Sequence, residues 1–175
     1  MRHARDDGGF SDIGRRLQES LDEAALTRSP LVVRNAPAGM RGQEGDLPQM
    51  ALERLPRLGL AQANELQAAY AAQRLRWDPS SPPPLRRQHH TISRAGLVAE
   101  MRLAQYGVLY LSELTMFSLV NVEAVAQALA DGWEGMVVAS AYDDLDRCAE
   151  YLERLDEYVS ILDADLFVIA APCST

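Results

Sequence analysis

The sequence predicts a three-layer α/β domain in which helices flank a mostly parallel sheet. Four short apolar runs, at residues 31–33, 107–111, 136–141 and 166–171, show no polar alternation, which is typical of strands buried on both faces. The segments between these runs have apolar residues at helical spacing. At 175 residues the chain has the length of a single domain, so we expect one open sheet of about four or five strands.

The N-terminal part of the chain predicts a helix, a strand and a loop, in that order. Residues 1–9 are polar and indicate a flexible lead. Apolar residues then recur at helical spacing from Ser11 to Thr27, and Pro30 separates this amphipathic pattern from the first apolar run. The loop after that run, residues 34–42, is rich in small residues. A loop of this kind can cradle a phosphate, because backbone N–H groups converge there.

The rest of the chain continues the alternation of helices and strands. Four prolines within residues 78–84 predict a loop, since proline fixes φ and removes a hydrogen-bond donor. Asp131 and Gly132 are expected to end the helix before them. Helical spacing predicts a segment ending at Tyr106 and four further helices, at residues 47–60, 64–76, 121–130 and 145–159.

The charge distribution argues against two classes of partner. All 17 basic residues are arginine, so no lysine is present to bind a phosphate. The net charge is −8, and residues 101–175 carry 13 acidic residues against 3 arginines, whereas residues 51–100 carry 7 arginines against 4 acidic residues. Broad binding to nucleic acid or to an anionic membrane needs clustered positive charge, so neither partner is expected.

Other features of the sequence predict a cytoplasmic protein. No run of about 18 apolar residues is present, and the N-terminus lacks the apolar centre of a signal peptide. Cys148 and Cys173 have no closely spaced partner, so we expect reduced thiols. Cys148 falls on the apolar face of its helix and is expected to be buried.

The segment 107–113 is the main candidate for a functional site. Its apolar run ends in Ser112 and Glu113, at the carboxyl end of an expected parallel strand, where open α/β sheets bind their ligands. In a nucleoside triphosphatase, an acidic pair at this point would hold the metal ion and orient the attacking water. Only Glu113 is acidic here, so the pair is incomplete.

Two motifs in register resemble the magnesium-chelatase-type AAA+ ATPases, including their competence-associated bacterial branch. Residues 87–97 are RQHHTISRAGL, where the family has APHHTxSDAALxGG, and residues 100–118 are EMRLAQYGVLYLSELTMFS, where the family has GEISLAHxGVLFLDELPEF. The similarity continues to Gly132 and extends over residues 10–172. It implies a P-loop-NTPase-like core at residues 10–175, with ATP and Mg²⁺ as ligands and neighbouring subunits in a ring.

The phosphate loop departs from the family pattern. By the resemblance, Arg41 stands where the family has the phosphate-binding lysine, and Gly42 stands where it has the hydroxyl that reaches the metal ion. The planar guanidinium of arginine does not replace a compact ammonium in such a cradle. Gly39, Arg41 and Gly42 are nevertheless the residues that would contact a nucleotide.

Three further family positions are changed. Ser112 replaces the Walker B aspartate, Tyr142 replaces the sensor asparagine, and Ala164 stands where the family has its arginine finger. The helical lid that follows the family's core is not expected, since the sequence ends at Thr175. Phosphoryl transfer depends on positioning and charge neutralisation, so these changes together leave no route to hydrolysis.

We therefore expect a catalytically inactive AAA+-like module that acts through protein–protein interaction or self-assembly, with no cofactor and no metal site. Glu113 is the only catalytic candidate that the family pattern retains. One alternative is an atypical enzyme subunit that binds or hydrolyses ATP with Mg²⁺ through Arg41 and Glu113. Another is a nucleic-acid accessory protein that uses the arginines between Arg74 and Arg94.

His89 and His90 have two interpretations. They are candidate metal ligands, but adjacent histidine side chains are expected to point in different directions, and no third ligand follows at zinc spacing. A structural role for the pair is therefore the preferred interpretation.

Overall fold

The computed structural model describes residues 8–34 and 47–141 of the chain. The helices are α1 (Gly8–Thr27), α2 (Leu47–Leu52), α3 (Leu60–Ala72), α4 (Arg94–Leu103) and α5 (Leu119–Ala130). The strands are β1 (Leu31–Arg34), β2 (Leu85–Gln88), β3 (Val108–Leu111) and β4 (Met136–Ala141). A short 3₁₀ helix, Leu114–Met116, follows β3. The helix expected at 145–159 and the strand expected at 166–171 lie outside the described residues.

The four strands form one sheet in the order β1-β4-β3-β2, and every neighbouring pair is parallel. All residues of β3 and β4 are buried, as solid apolar runs predict for inner strands. The side chains alternate between two apolar cores, so Leu109 and Val137 face one layer while Val108 and Val138 face the other. The first layer contains α4 and α5, and the second contains α1 and α2. The expected three-layer α/β architecture is confirmed.

Strand β2 was not expected from the sequence. It pairs with β3 from Leu85↔Val108 to Gln88↔Leu111. Its other three residues are Arg86, Arg87 and Gln88, and they give no apolar signal. Glu100 of α4 accepts two hydrogen bonds from the Arg86 guanidinium, at 2.5 and 2.9 Å, and one from Gln88 Nε2 at 2.9 Å. This half-buried network satisfies the side chains of Arg86 and Gln88, and the hydrogen bonds to Glu100 raise the pKa of Arg86.

The expected helices at 47–60 and 64–76 have different bounds in the structure. Helix α2 ends at Leu52, because the chain turns through bonds from Arg54 N to Ala51 O and from Leu55 N to Leu52 O before Pro56. Proline cannot continue a helix, and it disfavours helical geometry in the residue before it. Helix α3 begins earlier than expected, at Leu60, and ends before Arg74, which has a left-handed φ of 59°.

Two other helix boundaries bear on the expectations. Helix α1 begins at Gly8, so the last two residues of the expected lead are helical. Helix α5 ends before Asp131 and Gly132, as expected, and Gly132 has a φ of +87°. Gly132 N donates to Leu129 O at 3.1 Å and Trp133 N donates to Ala128 O at 2.9 Å, which is the Schellman pattern of a helix end.

The start of β3 is fixed by a close approach of two backbones. Val108 N donates to Pro84 O at 2.8 Å, and a Cβ on Gly107 would lie 1.9 Å from that same oxygen. Only glycine fits at this point. The preceding residue, Tyr106, has a left-handed φ of 66°, and its hydroxyl donates to the Glu65 carboxylate of α3. This hydrogen bond, followed by burial, raises the pKa of Tyr106 to about 12.

Candidate functional site

The carboxyl end of β3 delivers Ser112 and Glu113 to the edge of the sheet, as the sequence predicts. Ser112 is half-buried, and its N–H continues the strand pairing by donating to Gln88 O at 3.2 Å. The main chain then leaves the strand direction at Glu113, where φ is 57° and ψ is 66°. This left-handed conformation is uncommon for a residue with a side chain, and it leaves the Glu113 carboxylate exposed.

A hydroxyl on the neighbouring strand holds this turn. Ser140 of β4 is buried, and its Oγ accepts from Glu113 N at 3.1 Å and from Tyr110 Oη at 3.0 Å. Neither Ser140 nor Tyr110 was predicted as a site residue. The sequence does contain a signal for Ser140, because it is a polar residue inside an otherwise apolar strand. A buried hydroxyl there needs a hydrogen-bond partner.

The histidine pair lies at the end of β2, beside β3. The rings of His89 and His90 lie against each other with centroids 3.9 Å apart and planes tilted by 38°, so the expectation that adjacent side chains diverge is wrong. A turn causes this, in which Ile92 N donates to His89 O at 3.0 Å and folds the chain back. His90 also meets the Phe117 ring edge-on at 6.5 Å, and its buried Nδ1 has no hydrogen-bond partner among the described residues.

The turn after the histidines is attached to α5. Asn121 is buried in the first turn of that helix, and its Nδ2 donates to Ile92 O at 3.0 Å. Ser93 caps α4 by accepting from Gly96 N at 3.1 Å. These contacts fix the histidine turn beside the Ser112–Glu113 end of β3.

Few charged groups lie at this edge of the sheet in the segments that the structure describes there. Glu113 is the single acidic residue in the described segments that directly follow β2 and β3, residues 89–93 and 112–118. The Arg87 guanidinium lies 5.9 Å from the centre of the Tyr110 ring, where the cation interacts with the aromatic face. Within residues 8–34 and 47–141, no group of three histidine, cysteine or acidic side chains is placed to hold a metal ion.

Several residues predicted for the site lie outside the described residues. These are the phosphate-loop residues Gly39, Arg41 and Gly42, the sensor position Tyr142 and the finger position Ala164. Cys148 also lies outside them. The structure therefore brings Ser112, Glu113 and the histidine turn together, and the contribution of the phosphate loop stays a prediction.

Comparison with known proteins assigns no family to this chain. No protein-family model matches it, and no curated protein matches it. Among solved structures, NtrX from Brucella abortus matches with a TM-score of 0.48 and 15% sequence identity, over 81% of this chain and 34% of that chain. This chain thus spans about a third of that protein, and a likeness at this level assigns no function.

In the part of the chain that the structure describes, no helix combines the length and the apolar character needed to cross a bilayer.

Proposed function

We propose that this protein is a catalytically inactive AAA+-like module that acts through protein–protein interaction or self-assembly. The observation that carries the proposal is the chemistry at the end of β3. Ser112 stands beside Glu113 where a hydrolase of this kind would place a second carboxylate. A neutral hydroxyl pair, Tyr110 of β3 and Ser140 of β4, lies at this end of the sheet.

This arrangement supports a structural role for the residues that a hydrolase would use. A carboxylate that orients an attacking water must lie next to a bound metal ion and phosphate. The Glu113 main chain is instead fixed by the Ser140 hydroxyl, while its carboxylate is exposed to solvent. A serine hydroxyl is a weak ligand for Mg²⁺ compared with a carboxylate, so Ser112 does not restore the missing charge.

The test is an ATP hydrolysis assay on the full chain. We expect no Mg²⁺-dependent turnover above the buffer background, and no difference between the wild type and Glu113→Gln. Glu23→Gln is a matched control, because it removes another exposed carboxylate, from α1. Magnesium-dependent turnover that disappears in Glu113→Gln and persists in Glu23→Gln would overturn the inactive assignment.

A second candidate function is an atypical subunit that binds ATP or hydrolyses it with Mg²⁺. The observation that favours it is the retained Glu113, exposed beside the Ser112 hydroxyl at the carboxyl end of an inner strand. Nucleotide binding to the folded state would raise the free energy of unfolding by about 2.7 kcal/mol at a ligand concentration of about 100 times the dissociation constant. A melting temperature that does not change with millimolar ATP or ADP, with and without Mg²⁺, would exclude this candidate.

A further inference from the structure

Helices α4 and α5 lie side by side on one face of the sheet and run in the same direction. Near their beginnings, Asn121 Nδ2 donates to Ile92 O at 3.0 Å. Near their ends, Trp133 Nε1 donates to Met101 O at 2.9 Å. The two outward surfaces therefore form one continuous face with parallel helix axes, which we call the α4–α5 face.

The α4 half of this face is basic and shallowly concave. A cavity of about 550 Å³ lies along it, with Ala95, Val98 and Ala99 between Arg94 and Arg102. Both arginines are exposed, and among the described residues neither guanidinium has an acidic partner. The two arginines are separated by eight helical positions, which is about 12 Å along the axis.

The α5 half of the face is acidic and has the same spacing. Glu123 and Asp131 are both exposed and are also separated by eight positions. Gln127 lies between them and donates to Asp131 Oδ1 at 2.9 Å. Val120, one turn before Glu123, is an exposed apolar residue, 49% accessible. The α4–α5 face thus carries a basic row and an acidic row of equal length, side by side.

We propose that a second copy of this chain docks on the α4–α5 face through a two-fold axis parallel to the helices. Such a rotation lays α4 of each copy along α5 of the other, and the helices remain parallel. A two-fold rotation allows no shift along its axis, so each residue meets the residue at its own level on the other helix. Because Asn121 contacts Ile92 within one copy, Arg94 comes opposite Glu123 of the second copy. Arg102 comes opposite Asp131 of the second copy in the same way. Symmetry repeats both pairs, so the contact is self-complementary and closes at two subunits.

The chemistry of the face favours a protein occupant over a nucleic acid. The small side chains of Ala95 and Ala99 allow a second helix to approach closely, with Val98 as the apolar contact. A phosphate backbone would meet the arginines of α4 but also the acidic row of α5, and the chain as a whole has a charge of −8. Equal rows of opposite sign match a copy of the same surface.

This inference rests on the proposed function, since it names the partner of the non-catalytic module. The test is sedimentation equilibrium of the full chain at several protein concentrations and two salt concentrations. We expect a monomer–dimer equilibrium, weakened by salt, and an increase of the dissociation constant by about tenfold or more in Arg94→Glu/Arg102→Glu, since like charges then face each other.

Two further variants make the experiment specific. The control variant Arg15→Glu/Arg57→Glu makes the same change in charge. Arg15 lies on α1 and Arg57 follows α2, and both helices pack on the other face of the sheet, so the dimer should persist. The fourfold variant Arg94→Glu/Arg102→Glu/Glu123→Arg/Asp131→Arg exchanges the two rows and should restore the dimer. Circular dichroism of each variant monitors folding.

The proposal is overturned if the wild type is monomeric at all concentrations, or if the fourfold variant fails to dimerise while remaining folded. It is also overturned if a labelled oligonucleotide, and no second copy, binds the wild type and is lost in Arg94→Glu/Arg102→Glu. A monomeric wild type without ATP hydrolysis would leave the inactive assignment standing. A dimer that hydrolyses ATP would overturn that assignment and keep the interface, so the two failures are distinguishable.

Discussion

The hydroxyl of Ser140 accepts hydrogen bonds from two groups at the end of β3, Tyr110 Oη at 3.0 Å and Glu113 N at 3.1 Å. One buried atom therefore holds both a side chain and a main-chain turn. At the residue scale, Glu113 was predictable because it closely follows an apolar run. Ser140 was missed, because its role depends on which strand lies beside β3, and the sheet order alone defines that neighbour.

Ser140→Ala should lower the free energy of unfolding by about 1–3 kcal/mol, because two donors lose their acceptor. Tyr110→Phe removes one donor and leaves Ser140 bonded to Glu113 N, so its cost should be smaller, about 0.5–1.5 kcal/mol. Urea denaturation of both variants and of the double variant measures the coupling.

The double variant should cost less than the sum of the two single changes, because residues that share a hydrogen bond are not independent. Strict additivity of the three measured values would show that the Tyr110–Ser140 hydrogen bond contributes no stability.

At the element scale, the strands that are buried on both faces were recognisable and the polar strand was not. Residues 136–141 were expected as a strand, and β4 has those bounds. Strand β2 has a single apolar residue, Leu85. Glu100 of α4 accepts hydrogen bonds from the Arg86 and Gln88 side chains, and the β2 backbone pairs with β3. Pairing with an existing strand therefore decides the conformation of β2, which local patterning does not indicate.

Gly107→Ala should destabilise the fold by about 1–3 kcal/mol or more, because the new Cβ would lie 1.9 Å from the main-chain oxygen of Pro84. The clash is with backbone, so it can be relieved only by moving the start of β2 away from β3. Urea denaturation measures the change, and the midpoint should fall.

Gly14→Ala is the matched control for this prediction. Gly14 lies within α1, and no heavy atom lies within 4 Å of the position that an added Cβ would take. Alanine there should raise the free energy of unfolding by about 0.5–1 kcal/mol. If both variants shifted the midpoint in the same direction, the close approach at Gly107 would not be the cause.

At the scale of the whole molecule, the sheet has a buried centre. Strand β4 lies between β1 and β3, and β3 lies between β4 and β2. Apolar layers cover both faces of these inner strands. Strand β2 is half-buried, and among the described residues it has a neighbour on one side only. Local stability should therefore be higher in β3 and β4 than in β2, since opening a central strand exposes both cores.

Native-state hydrogen exchange should therefore be slowest at the amides of the two inner strands, residues 108–111 and 136–141, and at least about tenfold faster in β2. Exchange followed by NMR or mass spectrometry measures these rates. Protection of β2 equal to that of β4 would contradict the prediction and would indicate that further chain covers the β2 edge.

The sequence by itself determined the class of fold and the position of its inner strands, because burial on both faces demands unbroken apolar runs and helices demand their own spacing. It also determined that Ser112 and Glu113 follow an inner strand. Only the tertiary structure decided the surroundings of those residues: the Ser140 hydroxyl that accepts from Glu113 N, the polar strand β2 beside Ser112, and the histidine turn that follows β2. These contacts join residues that are far apart in the chain. The order of strands in the sheet brings them together, and no local pattern in the sequence predicts that order.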